Sequence, residues 1–193
     1  MKKISVILLV LSLLLFSGSA VASEHMMEKG IWTFGGSFDL GGNLSYTGEP
    51  TLEPDKVSTG FTVMAEYAMP AKNSVSYGAG FAYQLSRSLE EFSEVSFSFT
   101  PIYGLLKYHM ENQAYLVGHA GYNLLSGSDA FKMSEGGAAK LGGGLYYAAG
   151  LGIGMENYTA EILYTVNNGT WETSEVKYDL SYSKFSLAFG YQF

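Results

Sequence analysis

Five ionisable side chains share strand faces with small or polar neighbours: Asp39, Glu66, His119, Glu161 and Lys184. Glu66 and Glu161 each lie a few residues from a short turn, with His119 at a comparable height. In a narrow interior such groups must pair, because an unpartnered buried charge is costly. The expectation is a lumenal hydrogen-bonded network that braces a wall; a gated proton or ion path is the sharper alternative. The three histidines, His25, His109 and His119, are also what serine hydrolysis would need, given a Ser in reach and an acid to orient the ring. His25 sits near the N-terminus. His109 abuts a turn between Tyr108 and Met110, and His119 is followed by Ala120 and Gly121, not by a Ser two residues on. No catalytic residue is assigned, and no enzymatic activity is expected. With no Cys and no His pair at ligand spacing, neither a metal site nor a disulfide is expected. The glycine strings Gly136-Gly137, Gly142-Gly143-Gly144 and Gly150 to Gly154 lack the Gly-Lys-Ser/Thr ending of a phosphate loop, so no cofactor is expected either.

The elements that would position these groups are strands. Side chains of a strand alternate between faces, and eight segments alternate in this way. Near Gly30–Leu44, Trp32, Phe34, Phe38 and Leu40 oppose Thr33, Ser37 and Asp39. Near Thr59–Met69, Phe61, Val63, Ala65, Tyr67 and Met69 oppose Thr62 and Glu66. Ser74–Ser86 is the cleanest, with Val75, Tyr77, Phe81, Tyr83 and Leu85 against Ser, Gly, Ala and Gln. In the fourth segment, Val95–Tyr108, the reading places Phe97, Phe99, Tyr103 and Leu105 outward, with a bulge or register change at Pro101. The fifth to seventh cover Ala114–Leu125, Leu141–Met155 and Tyr158–Val166. The eighth, Val176–Phe193, changes apolar parity from even (Tyr178, Leu180, Tyr182) to odd (Phe185 onward). A bulge near Tyr182–Lys184 would explain this, and so would a strand leaving a membrane there.

Connections alternate between short (Pro70–Asn73, Met110–Gln113, Glu156-Asn157) and long polar ones (Ser45–Val57, Arg87–Glu94, Ser126–Lys140, Asn167–Glu175). That is the pattern of transmembrane barrels, with short periplasmic turns and longer outer loops. The face opposite the aromatics carries Gly, Ala and Ser, which suits the crowded bore of an eight-stranded barrel. The aromatic face suits lipid. At the N-terminus, Lys2 and Lys3 precede an apolar run, Ile4 to Phe16, shorter than the roughly 20 residues of a membrane helix. Ala20 and Ala22 supply an A-x-A cleavage site, so residues 1–22 are expected to be a signal peptide and 23–193 the barrel domain. Removing that leader takes the basic count from 11 to 9 against 18 acidic residues, a formal charge of −9, which argues against a nucleic-acid partner.

The opening Lys29-Gly30-Ile31-Trp32-Thr33-Phe34-Gly35-Gly36-Ser37 and the closing Phe189-Gly190-Tyr191-Gln192-Phe193 resemble those of small outer-membrane β-barrel proteins of the OmpA/OmpX-like superfamily. The resemblance spans about Lys29 to Phe193 and implies an all-β, eight-stranded antiparallel up-and-down barrel in the Gram-negative outer membrane, among its lipids and lipopolysaccharide. It also implies that the aromatics Phe189, Tyr191 and Phe193 form a C-terminal signal for the barrel-insertion machinery. No peptidoglycan-binding domain is expected after Phe193. The function expected is a structural or surface-interaction role through the outer loops, where Phe92, Phe131 and Trp171 either meet a partner or join an aromatic girdle. The alternative is a narrow, porin-like passage for small solutes or hydrophobic compounds; a lipid A-modifying enzyme ranks below both.

Overall fold

A strand in hydrocarbon must pair its backbone on both sides, because no water is present to satisfy N–H and C=O groups. The computed structural model, which describes residues 30–71, 74–133 and 138–193, meets this demand by closing a sheet on itself. The expected leader, its cleavage site, His25, Lys29, Lys72-Asn73 of the first short turn and Gly136-Gly137 lie outside the described residues.

Eleven strands follow in chain order: β1 (Ile31–Asp39), β2 (Gly42–Thr47), β3 (Asp55–Val57), β4 (Gly60–Pro70), β5 (Val75–Gln84), β6 (Arg87–Ser88), β7 (Ser96–His109), β8 (Ala114–Gly127), β9 (Lys140–Met155), β10 (Tyr158–Glu172) and β11 (Lys177–Gln192). Eight of them, β1, β4, β5 and β7 to β11, form an antiparallel ring. The seam joins β1 to β11 from Thr33↔Gln192 to Asp39↔Ser186, and Trp32 and Phe193 exchange backbone hydrogen bonds at 3.2 and 3.0 Å. Above this ring β2, β3 and β6 take over from β1, β4 and β5. Here β2 pairs with β11 and β3, and Glu90 N–H donates to the Lys56 carbonyl at 2.9 Å across to the β6 side. The tube therefore continues as a second storey.

The two storeys are inside-out relative to one another. Below, the outward faces carry an apolar belt, including Phe61, Phe81, Ile102, Leu116, Leu151, Ile162 and Phe189, each at least 45 % exposed. Tyrosine and tryptophan gather at its lower edge, where Trp32 meets Tyr67 (5.0 Å between ring centroids) and Tyr158 meets Tyr191 (5.3 Å). Such rings favour a membrane interface. Above, the outward positions become Asn43, Ser45, Thr47, Asp179, Ser181 and Ser183, while Leu44, Phe97, Phe99, Leu180 and Tyr182 pack inside as an apolar cap.

Two mechanisms produce the switch. On β7, β8 and β11 the facing is continuous and only composition changes. Every even residue of β11 from Tyr178 to Gly190 is buried, so no bulge interrupts it, and the strand leaves the membrane near Ser183. Elsewhere the register slips by one residue, which sends a stripe to the other face. Pairing with β11 steps from Asp39↔Ser186 on β1 to Asn43↔Ser183 on β2, so even-numbered Phe38 points out and even-numbered Leu44 points in. The β9–β10 ladder slips likewise between Asn167 and Gly169.

Several expectations need correction. Phe97, Phe99, Tyr103 and Leu105 are buried inside the barrel, and Ile102, Leu106 and Tyr108 form the outer face of β7. Phe97 and Phe99 supply volume to the cap, and Tyr103 and Leu105 pack below it in the interior. Pro101 leaves the β7–β8 ladder intact at Pro101↔Asn123; on the other side the β5 ladder stops at Phe81↔Ile102 and resumes one residue out of step at Arg87↔Phe97. The missing N–H of the proline thus falls where pairing pauses. β10 runs to Glu172, so the last outer connection is a four-residue turn, 173–176, and not the nine-residue loop expected. Phe131, on the short helix α1 (Asp129–Lys132), and Trp171 pack against the cap and do not sit in a lipid girdle; only Phe92 is exposed.

Leu187 and Asp179 lie on the same outer face of β11, one in the belt and one above it. Leu187→Arg is expected to lower stability by about 2–4 kcal/mol, and Asp179→Arg to change it by less than about 0.5 kcal/mol. Urea titration of the barrel refolded into lipid vesicles measures both; equal costs would mean that the belt extends above Ser183.

Candidate functional site

The interior groups assemble as two charged layers. In the upper layer Asp39, at the end of β1, accepts hydrogen bonds from Ser37 Oγ (3.0 Å), Thr62 Oγ1 (2.8 Å) and Ser186 Oγ (2.6 Å). Two cations meet the same carboxylate: Lys184 Nζ at 2.7 Å, and Arg87 in direct ion-pair contact. Arg87 also donates from Nη1 to the Leu85 carbonyl (2.8 Å) and from Nη2 to Thr62 Oγ1 (3.0 Å), which fixes its plane.

The lower layer reverses the proportion. Lys107 Nζ sits between Glu66 Oε2 (3.2 Å) and Glu161 Oε1 (3.0 Å). Tyr103 donates to Glu66 Oε1 (3.0 Å) and Tyr115 to Glu161 Oε1 (2.7 Å). Both tyrosines owe their room to glycine: a Cβ on Gly80 would overlap the Tyr103 ring, and one on Gly152 the Tyr115 ring. His119 stacks on Tyr103 with centroids 4.5 Å apart, with Nε2 3.6 Å from Glu66 Oε1 and Nδ1 3.4 Å from the Tyr146 hydroxyl.

With His119 neutral, the upper layer carries one excess positive charge and the lower layer one excess negative charge. Three carboxylates and three cations cancel overall. Between the layers lies a cavity of about 30 Å³ lined by Gln84, His119, Tyr146 and Lys184, among others. That is room for about one water molecule. Above the upper layer, the apolar cap fills the bore.

Asp39, Glu66, His119, Glu161 and Lys184 are all buried in the barrel, as two groups and not one: Asp39 with Lys184, and Glu66 with Glu161 and His119. Two further members escaped sequence reasoning. Lys107 shares its facing with Tyr103 and Leu105, so placing those residues outward hid it. A lysine in that row was the signal that the face looks inward, since a cation amid acyl chains is costly. Arg87 was assigned to an outer loop, and only the second storey makes its position interior. Phe189, Tyr191 and Phe193 project outward, and Phe193 stacks on Phe34 across the seam at 5.3 Å.

Two other places hold reactive or accessible groups. At the lower rim Ser76 Oγ lies 2.9 Å from His109 Nε2, a pair formed between β5 and β7 where the neighbours of His109 along the chain had offered no nucleophile. At the opposite end the outer loops enclose a cup of about 360 Å³, floored by Leu89, Phe131 and Tyr178 and walled by Tyr46, Trp171 and the acidic residues Glu53 and Asp55. Trp171 Nε1 donates to the Phe131 carbonyl at 2.9 Å, and Tyr46 donates to Asp55 Oδ2 at 2.5 Å. Burial first, and then the adjoining Asp55 carboxylate, push the Tyr46 phenol far above its ordinary range, so it remains a donor.

No protein-family model matches the sequence, and no curated protein matches it. Solved structures do. The outer membrane protein AlkL in DMPC bilayers aligns over 92 % of this chain and 97 % of its own, at 15 % identity and a TM-score of 0.54. Neisserial surface protein A aligns over 86 % of this chain and 100 % of its own, at 12 % identity and a TM-score of 0.50. Ail of Yersinia pestis, an attachment invasion locus protein, aligns over 85 % and 97 % at 16 % identity and a TM-score of 0.48. The chain has the fold of the small outer-membrane β-barrels.

Removing Lys107 leaves two buried carboxylates facing each other. Lys107→Met is expected to cost about 3–5 kcal/mol, and the triple variant Glu66→Gln, Lys107→Met, Glu161→Gln to recover most of that loss. Vesicle-refolding titrations of the single and triple variants test the pairing; equal stability of the two would show that the charges are not coupled.

Proposed function

We propose that this protein works in the bacterial outer membrane as a sealed barrel that presents a binding surface on its outer loops and catalyses no reaction. The observation that carries this reading is the filled bore. Two ionic layers and the apolar cap stand in series, and the cavity between the layers holds about 30 Å³. Passage of a solute would require the layers and the cap to move together. The outer cup, by contrast, is open and more than ten times larger.

On this reading the apolar belt meets outer-membrane lipids and lipopolysaccharide. The outward aromatics Phe189, Tyr191 and Phe193 are the surface offered to the barrel-insertion machinery. The reading of no catalysis is supported by incomplete chemistry: Ser76 and His109 form a dyad, yet hydrolysis also needs an acid on the second imidazole nitrogen, and none bonds it among the described residues. His119 is buried against the Tyr103 ring with Nδ1 3.4 Å from the Tyr146 hydroxyl, and no serine hydroxyl bonds it among the described residues.

The purified barrel should migrate differently on unboiled and boiled gels, fractionate with outer membranes and remain electrically silent in planar bilayers. Steady single-channel steps would replace this reading with the porin-like one. Incubation with lipid A should release no acyl chain; release abolished by Ser76→Ala or His109→Ala would establish an enzyme.

A further inference from the structure

The outer cup is built for one class of ligand. Its aromatic lining, Tyr46, Phe131, Trp171 and Tyr178, supplies apolar surface, and its volume of about 360 Å³ is that of a small-molecule site. Among the described residues, both charged ones in its lining, Glu53 and Asp55, are carboxylates. A neutral apolar ligand would gain nothing from them, and an anion would be repelled. An amphiphilic organic cation gains twice, its charge from the carboxylates and its apolar body from the aromatic lining.

The wall is also held in place. The Tyr46 hydroxyl holds Asp55, the Phe131 carbonyl holds the Trp171 indole, and Trp171 packs on Tyr178 with centroids 6.0 Å apart. A site whose groups are fixed beforehand loses less on binding. The surrounding outer surface is acidic in balance: Glu49, Glu90, Glu91, Glu94, Glu172 and Glu175 outnumber Lys56, Lys132, Lys140 and Lys177 on the loops and strand ends. That field draws cations toward the opening.

We infer that the outer cup is a binding site for small amphiphilic cations, an ammonium group against Glu53 and Asp55 with its apolar body on the aromatic floor. The inference deepens the proposed surface-binding role and rests on it.

The test uses three probes with the same six-carbon body: hexyltrimethylammonium, hexan-1-ol and hexyl sulfate. The sequence holds two tryptophans, so Trp32→Phe leaves Trp171 as the single reporter in the detergent-solubilised full barrel. Hexyltrimethylammonium is expected to give a saturable change in Trp171 emission, with a dissociation constant about tenfold below that of hexanol. Hexyl sulfate is expected to give no saturation. Glu53→Gln combined with Asp55→Asn should raise the ammonium constant about tenfold, with heat-modifiable migration confirming that the variant barrel is folded. Equal constants for ammonium and alcohol, an unchanged constant in the folded double variant, or no saturable response to any probe would overturn the inference. None of these outcomes would open the bore, so the sealed-barrel reading would stand. Channel steps in the bilayer assay would remove that reading while leaving any measured cation affinity intact.

Discussion

Charge neutrality inside a tube barely wider than its own side chains is the condition on which this structure depends. An eight-stranded barrel has no aqueous lumen in which ions can be screened. Whatever charge enters must be cancelled by contact. Here three carboxylates meet three cations, and each layer alone is unbalanced by one charge. The two layers therefore belong together electrostatically, although the small cavity and the Tyr103, His119 and Tyr146 rings lie between them. Hydroxyl donors from Ser37, Thr62, Ser186, Tyr103 and Tyr115 take up carboxylate lone pairs that cations leave free, which is what makes buried charge tolerable.

That condition explains much of the sequence around it. Glycines at positions 80 and 152 are spaces cut for the tyrosines that reach Glu66 and Glu161. Small residues elsewhere on the inner faces keep the bore from overfilling. The outer wall then takes the large apolar side chains that the interior cannot hold, and the membrane supplies their surroundings. Interior crowding and exterior greasiness are two sides of one volume constraint.

How much of this could be read from residue order depended on whether one face stood clearly apart from the other. On β5, Tyr77, Phe81 and Tyr83 alternate with Gly78, Gly80 and Ala82, and the facing was unambiguous. The strand count, the short turns and five interior ionisable groups followed from such segments. On β7 both rows are apolar, Phe97, Phe99, Tyr103 and Leu105 against Ile102, Leu106 and Tyr108, so hydrophobicity alone could not choose. Only Lys107 breaks the tie. The second storey was hidden for another reason: its inner face is apolar and its outer face polar, which is the pattern of a barrel in water. The register slips after Asp39 and at Asn167 that join the storeys leave no mark in composition. Asp39 and Lys184 were visible as lumenal residues, whereas their partner Arg87 looked like part of a loop.

The second storey also fixes where a ligand must come from. From Ser183 to Lys177, at about 3.3 Å per residue and a tilt near 40°, β11 climbs roughly 15 Å above the hydrocarbon edge. The mouth of the cup therefore opens well above the hydrocarbon, on a stalk whose flanks carry serine, asparagine and charge. Among the described residues, the outward positions of β2 and upper β11 give molecules dissolved in the acyl phase no apolar track up that stalk. An organic cation of the proposed kind would arrive through water, past the carboxylates of the outer surface.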